Sequence, residues 1–331
     1  MKPQHPVSKV DDRNFTFYFR LVFNEMCRIK IHKQVKEKHI MRGEYKFDPA
    51  TWRVTGEMLK DYQELGFVLI RNMFNKEELA KVEKALSIMF QSEGILDKAY
   101  NVDDGMQCKS RLLLWNHPGN DVTGMVARCE KVVNTVETVM GGEEIYHYHT
   151  KVMMKEPFTG GSFAWHQDYG YWYKNGCLKP DMSTVFIALD KADTGNGCLQ
   201  VIPGTHLCGR IEHVFVGGQT GADMERVEQI INFPGMKVIP IEMEPGDALI
   251  FHSNLLHKSD QNRSERRRWA FLCAYNRKDN NPAWEHHHPM YTPLKKVPDS
   301  AILDCTNFTD FSGKDIVDPK ADKSVKHESV Y

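Results

Sequence analysis

The 331-residue chain reads as a mainly β protein with flanking helices, of the sandwich or jelly-roll type. Three observations predict this. Short β-type segments follow one another from about residue 145, at 146–155, 184–189, 198–202, 238–243, 248–252 and 269–275. Turn signals separate them: Pro157 with Gly160 and Gly161, Gly195-Asn196-Gly197, Pro203-Gly204 and Pro245-Gly246-Asp247. Helical periodicity precedes these strands instead of alternating with them, which disfavours a parallel α/β sheet.

In chain order, residues 1–50 are mixed and basic, with Lys30, Lys33, Lys36 and Lys38, and read as an N-terminal extension. Over 55–67, Met58, Leu59, Tyr62 and Leu65 fall at helical spacing. Gly66 stops that helix, and 67–70 is a short β run. Asn75 is the expected N-cap of a second helix from Lys76, with Glu77 and Glu78 in its first turn. The stretch 95–120 reads as irregular and 124–140 as helical. The jelly-roll core is expected over about 145–276, within a domain spanning 51–305. A polar tail, 306–331, is expected to fray at its end.

A net charge of −1 gives the molecule no overall pull toward nucleic acid or an anionic membrane, so neither is an expected partner. Hydrophobic residues make up 41% and charged residues 26%, as in ordinary soluble enzymes. No apolar run approaches the roughly 18 residues that span a bilayer. The first residues lack an apolar secretory core, and Asp11, Asp12 and Glu25 argue against a mitochondrial presequence. The final Ser329-Val330-Tyr331 is not the peroxisomal signal. The eight cysteines include no C-x-x-C pair and suit a reducing compartment, so a cytoplasmic location is expected. Nothing in the sequence specifies an oligomeric state.

The chemistry concentrates at Trp165-His166-Gln167-Asp168. On an extended chain, residues i and i+2 point to the same face, so His166 and Asp168 converge from one strand end. Imidazole plus carboxylate, joined by a second histidine, is the facial ligand set of non-haem Fe(II). His257 is the expected third ligand, since it follows the turn Pro245-Gly246-Asp247 and a β run leading back to the site. His252 is its competitor within that run. Three ligands on one octahedral face leave positions for a 2-oxo acid and dioxygen. The distal carboxylate of such a co-substrate needs a cation. Arg268 lies eleven residues after His257 (268 − 257), on the next strand, and offers a planar bidentate clamp. Ser259, two residues past His257, shares its face and supplies a hydroxyl.

These residues resemble the phytanoyl-CoA dioxygenase family of Fe(II)/2-oxoglutarate-dependent oxygenases. The matching text is His166-Gln167-Asp168, 195–206 (GNGCLQVIPGTH), Pro245-Gly246-Asp247, His257 with Ser259, and Arg268. Upstream, 62–70 (YQELGFVLI) is similar to the family's opening helix and strand. The likeness covers roughly residues 55–290. It implies a double-stranded β-helix of cupin-like type and 2-oxoglutarate-driven hydroxylation releasing succinate and CO2, with O2 consumed and ascorbate a candidate reductant. The segment 156–172 (EPFTGGSFAWHQDYGYW) resembles the ectoine and free-amino-acid hydroxylase branch. That likeness places Trp172 and His149 in the substrate pocket and Ser183 near 2-oxoglutarate. His149 stands where the ectoine branch has a glutamine, and Met153 where it has an asparagine near the co-substrate. Related halogenases carry a small residue at the position of Asp168, so the resemblance implies hydroxylation.

Of the aromatic residues after the ligands, Trp172 and Tyr169 are read as a substrate wall, and Tyr171 and Tyr173 as packing. His286, His287 and His288 read as an exposed loop, and His206 as structural. His147 shares a strand face with His149 by period. No catalytic residue beyond the metal ligands is expected. Two rival readings stand beside this one. A CoA thioester substrate would use Arg263, Arg266 and Arg267 for its phosphates, and a non-catalytic jelly-roll module would hold metal without turnover.

Overall fold

A computed structural model describes residues 41–216 and 219–319. The extension up to residue 40 and the tail beyond 319 lie outside the described residues. β1 (Glu44–Lys46) falls inside the segment read as extension, yet it pairs in parallel with β2 (Phe67–Arg71). Between them runs α1 (Gly56–Leu65), capped by the Thr55 hydroxyl, which accepts from Met58 N–H. It ends at Gly66, whose φ is 82° and whose missing side chain leaves room for the His206 ring. α2 (Lys76–Gln91) starts with the expected Asn75 cap, closed reciprocally by Glu78.

The stretch 95–120 is not irregular. It holds β3 (Tyr100–Asp103) and β4 (Lys109–Trp115), an antiparallel pair that extends the main sheet. β4 is covered on both faces, with Leu113 and Trp115 in the core and Leu112 and Leu114 lining a cavity, so no apolar–polar alternation marks it. The helix expected over 124–140 is two helices, α3 (Val122–Arg128) and α4 (Glu130–Val139). They break at Cys129, which turns extended and bridges to Val297. No glycine or proline marks that break, because its cause is tertiary.

The remainder is β5 (Ile145–Lys155), β6 (Phe163–His166), α5 (Asp168–Trp172), β7 (Met182–Ala188) and β8 (Leu199–Val201). There follow β9 (His213–Val216), β10 (Gln219–Ala222), α6 (Met224–Ile231), β11 (Ile239–Ile241), β12 (Ala248–His252), β13 (His257–Ser259), β14 (Arg268–Arg277) and α7 (Ala301–Asp304). The main sheet has the order β1-β2-β12-β7-β14-β5-β4-β3, and a second sheet has β11-β8-β13-β6. β9 and β10 form a separate ribbon.

Alternation along the central strands makes two cores. Val185, Ile187, Ile250, Phe271 and Cys273 face outward onto α1–α4. Phe186, Ala188, Leu249, Phe251, Ala270 and Leu272 face inward, against Leu199, Val201 and Ile241 of the second sheet. This facing of two sheets is the jelly roll the turns and strands predict. Among the described residues, no helix is long and apolar enough to cross a membrane.

The first part of the segment read as a tail packs tightly. Ile316 bridges to Trp115, and Lys314 is fully buried. Its ammonium lies 2.8 Å from Asp121 Oδ1 and donates to Thr123 Oγ1 (2.7 Å) and the Pro118 carbonyl (2.8 Å). Asp121 in turn caps α3. Lys314→Met leaves that carboxylate buried without its cation. The expected loss of stability is about 3–5 kcal/mol, read by equilibrium urea unfolding. A loss no greater than that of the exposed control Lys295→Met would contradict this role.

Candidate metal centre

The site begins with two short strands. β13 pairs antiparallel with β6 so that His257 faces His166, and the ring centroids are 4.1 Å apart. Gln167 continues extended (φ −114°, ψ 134°) and returns Asp168 to the side of His166. Gln167 itself points away. Its amide donates to the carbonyls of Gly209 and Asn254, each at 2.8 Å, and its oxygen accepts from Ile211 N–H at 2.7 Å. The ligand atoms of His166, Asp168 and His257 all lie within 4.8 Å of one another.

Each ring is oriented by its own backbone. His166 Nδ1 donates to the Ala164 carbonyl at 2.8 Å, and His257 Nδ1 to the Leu255 carbonyl at 2.9 Å. A carbonyl only accepts, so Nδ1 carries the proton and Nε2 keeps its lone pair. Burial, with the neighbouring His257, holds His166 neutral, and burial lowers His257 likewise. Asp168 Oδ2 accepts from Thr184 Oγ1 at 2.7 Å, and Oδ1 lies 3.6 Å from Lys151 Nζ. Burial raises the carboxyl pKa, but the Lys151 ammonium and the Thr184 hydrogen bond oppose it, and the group stays low and ionised at neutral pH. Two neutral imidazoles and an ionised carboxylate beside a cavity of about 200 Å³ fit Fe(II) with open positions.

Arg268 is fully buried on the inward face of β14. Nε donates to the Gly197 carbonyl at 3.1 Å, and Nη1 is 3.3 Å from Met153 Sδ. Among the described residues no carboxylate pairs with it. Burial lowers its pKa to about 10, so it stays cationic at neutral pH. The Ser259 hydroxyl is also buried and has no partner. A guanidinium with no carboxylate beside it and a hydroxyl with no partner among the described residues could both bond a ligand carboxylate.

Ser183 is not brought to the site. It occupies the outward face of β7, where it accepts from Tyr62 OH and donates to the Phe251 carbonyl. The adjacent Thr184 faces inward and holds Asp168. Tyr169 and Tyr171 exchange their expected places. Asp168 opens a helix, so Asp168, Tyr171, Trp172 and Asn175 share one face at i, i+3, i+4 and i+7, and all line the cavity. Tyr169 lies on the other face, donating to the Cys177 carbonyl at 3.1 Å. Gly170 is required there, because a Cβ would strike the His213 ring.

His149 is buried in the cavity wall with both ring nitrogens unpartnered. His147 is not beside it. The β5–β14 register shifts between Ala274 and Tyr275, and His147 binds Asn116 O and Thr150 instead. His252 is turned toward Tyr62 and His206, away from the ligands. The triple histidine is not an exposed loop, since His288 is buried and lines the cavity with His287. Lys151 and Thr184 were missed. The period of two from His149 could have found Lys151, and nothing local marks Thr184.

A profile of the phytanoyl-CoA dioxygenase (PhyH) family matches residues 62–270. The chain belongs to that family. It is 31% identical over 203 residues to the L-proline trans-4-hydroxylase of Streptomyces griseoviridis, covering 56% of this chain and 72% of the relative. It is 25% identical over 252 residues to the ectoine dioxygenase of Nocardia farcinica, covering 71% and 82%. The structure of EctD from S. alaskensis with bound Fe superposes with a TM-score of 0.60 at 19% identity, covering 76% of this chain and 94% of that one. The EctD structure with 2-oxoglutarate and 5-hydroxyectoine gives 0.58 at 20%, covering 76% and 87%. The shared fold is the jelly roll.

Thr184→Val removes the hydroxyl that fixes the Asp168 carboxylate. Metal affinity is expected to fall about 10–100-fold, measured by chelator competition. Unchanged affinity would show that Thr184 does not act on the ligand.

Proposed function

We propose that this Fe(II)- and 2-oxoglutarate-dependent dioxygenase hydroxylates an aliphatic C–H of a small amino acid or related zwitterion. Succinate and CO2 are the co-products. His166, Asp168 and His257 hold the iron, and Arg268 with Ser259 holds the far carboxylate of 2-oxoglutarate. The observation that carries this reading is the convergence of three ligand atoms within 4.8 Å on a buried cavity. The unpaired guanidinium of Arg268 supports it.

When bound, iron with 2-oxoglutarate and O2 supplies an oxidant able to attack an unactivated C–H bond. The chain's own residues position and enclose. Backbone carbonyls fix the two imidazoles, Thr184 fixes the carboxylate, and Lys151 offsets part of its charge. The two facing sheets exclude water from the reacting end. Tyr171 and Trp172 wall the cavity on one side, and Leu112, Leu114 and Val102 on the other.

Support for a small substrate comes from the cavity of about 200 Å³, below the usual range for drug-sized ligands. The proline and ectoine enzymes among the relatives favour an amino-acid-like one. Two of the three arginines a CoA ester would use, Arg266 and Arg267, are engaged elsewhere. Arg266 pairs with Asp193 at 2.6 Å, and Arg267 with Asp190 at 3.1 Å and with Glu83.

The test is O2 uptake and succinate formation with iron, 2-oxoglutarate and a panel of free amino acids, L-proline, ectoine and an acyl-CoA. At least one zwitterion is expected to stimulate turnover and the acyl-CoA none. His257→Ala should abolish iron-dependent succinate formation. Arg268→Ala should chiefly raise the apparent 2-oxoglutarate requirement. No O2 uptake with any substrate would favour the non-catalytic module, and acyl-CoA turnover the CoA reading.

A further inference from the structure

The cavity has a wall that lies outside the residues 62–270 shared with the family. His288 forms it, and its ring lies 4.8 Å from that of His149 and 4.7 Å from that of Tyr148. The wall is held by Asn116, at the end of β4. Asn116 Nδ2 donates to the His287 carbonyl and to Asp315 Oδ2, each at 2.6 Å. Both of those atoms only accept, so the orientation of the amide is fixed. Its oxygen must therefore accept, and it does so from His288 Nδ1 at 3.0 Å. His288 Nδ1 carries the proton, and Nε2 on the opposite edge of the ring keeps its lone pair. Burial keeps the ring neutral.

The cavity thus presents a fixed, uncharged acceptor at His288. Beside it, His149 has two unpartnered ring nitrogens, and Asn175 adds a buried carboxamide. Leaving such polar atoms unsatisfied costs about 1–3 kcal/mol each, which a ligand able to bond them recovers. Among the described residues, Asp168 is the one carboxylate lining the cavity, and it is already bound by Thr184. A substrate N–H group therefore has acceptors on the imidazole side and no free carboxylate to compete for it.

We propose that His288, locked as an acceptor by Asn116 and Asp315, joins His149 to form the specificity site for the amino or imino nitrogen of the substrate. The proposal rests on the oxygenase reading of the cavity and deepens it. The substrate class is a free amine or imine-bearing small acid. Its carbon skeleton lies along Val102, Leu112 and Leu114, and its nitrogen lies on the imidazoles.

The experiment is calorimetric binding without oxygen, using Mn(II) in place of iron and saturating 2-oxoglutarate. Each common free amino acid is compared with the carboxylic acid lacking its amino group, for example L-proline against cyclopentanecarboxylate. At least one free amino acid is expected to bind about tenfold or more tightly than its partner. His288→Leu should erase that preference, while His288→Gln, which keeps an acceptor, should restore part of it. Mn(II) and 2-oxoglutarate affinities should stay unchanged in both variants. Absence of any amine preference in the wild type, or a preference that survives His288→Leu, overturns the proposal. If the leucine variant does not fold, the wild-type comparison and the glutamine variant still decide. Failure of the wild type to bind Mn(II) and 2-oxoglutarate would sink the oxygenase reading itself, and this proposal with it.

Discussion

The centre depends on the pairing of two strands too short to stand alone. β6 has four residues and β13 three, yet their register sets His166 opposite His257. β13 is held because it also pairs with β8, His257 lying opposite Val201 and Ser259 opposite Leu199. The β6–β13 ladder shifts between His257 and Ser259, where Lys258 alone faces the two residues Ala164 and Trp165. Such a bulge bends the strand and re-aims its side chains, and it lies between the proposed metal ligand and the free hydroxyl. A slip of one residue in either strand would turn that strand's histidine to the opposite face.

Much of this was legible because period and composition agree. The H-x-D spacing puts two donors on one side wherever the intervening residue is extended, and Gln167 is. The apolar run after Arg268 reads as a central strand, which places that arginine on a buried face. What could not be read was how a local pattern is overridden from outside. Tyr169 was read as substrate wall and Tyr171 as packing, but the chain turns helical at Asp168, and the helical period turns Tyr171 and Trp172 to the cavity. Ser183 and Thr184 have similar chemistry, and only the register of β7 decides which hydroxyl meets Asp168. The face of His147 was lost to a shift in the β5–β14 ladder, which no residue type announces.

The same limit explains the C-terminal segment. Its composition is polar, and polarity ordinarily marks solvent. Lys314 is nonetheless fully buried, because Asp121, Thr123 and the Pro118 carbonyl satisfy all three of its donors. Asp315 then reaches Asn116 from the same strap. The start of the segment read as a polar tail thus reaches the cavity wall through one amide, with residues remote in sequence from every motif.

Arg268 and Lys155 face each other across the β14–β5 ladder, and both are buried without a carboxylate partner. Lys155 bonds only backbone carbonyls, and burial followed by the charge of Arg268 pushes its pKa well down. A lysine buried beside a guanidinium disfavours the folded state unless it sheds its proton or an anion joins the pair. The protein's own acids do not, since Asp190 and Asp193 are drawn outward to Arg267 and Arg266. The arrangement is therefore incomplete as a structure and complete as a receptor. Under the proposed reading, a dicarboxylate bound there would remove part of that electrostatic cost. Binding to the folded state alone then stabilises it in proportion to the logarithm of ligand concentration. The inward face of β14 is apolar at Ala270 and Leu272, where it meets the second sheet, and cationic at Arg268, where the proposed co-substrate would lie.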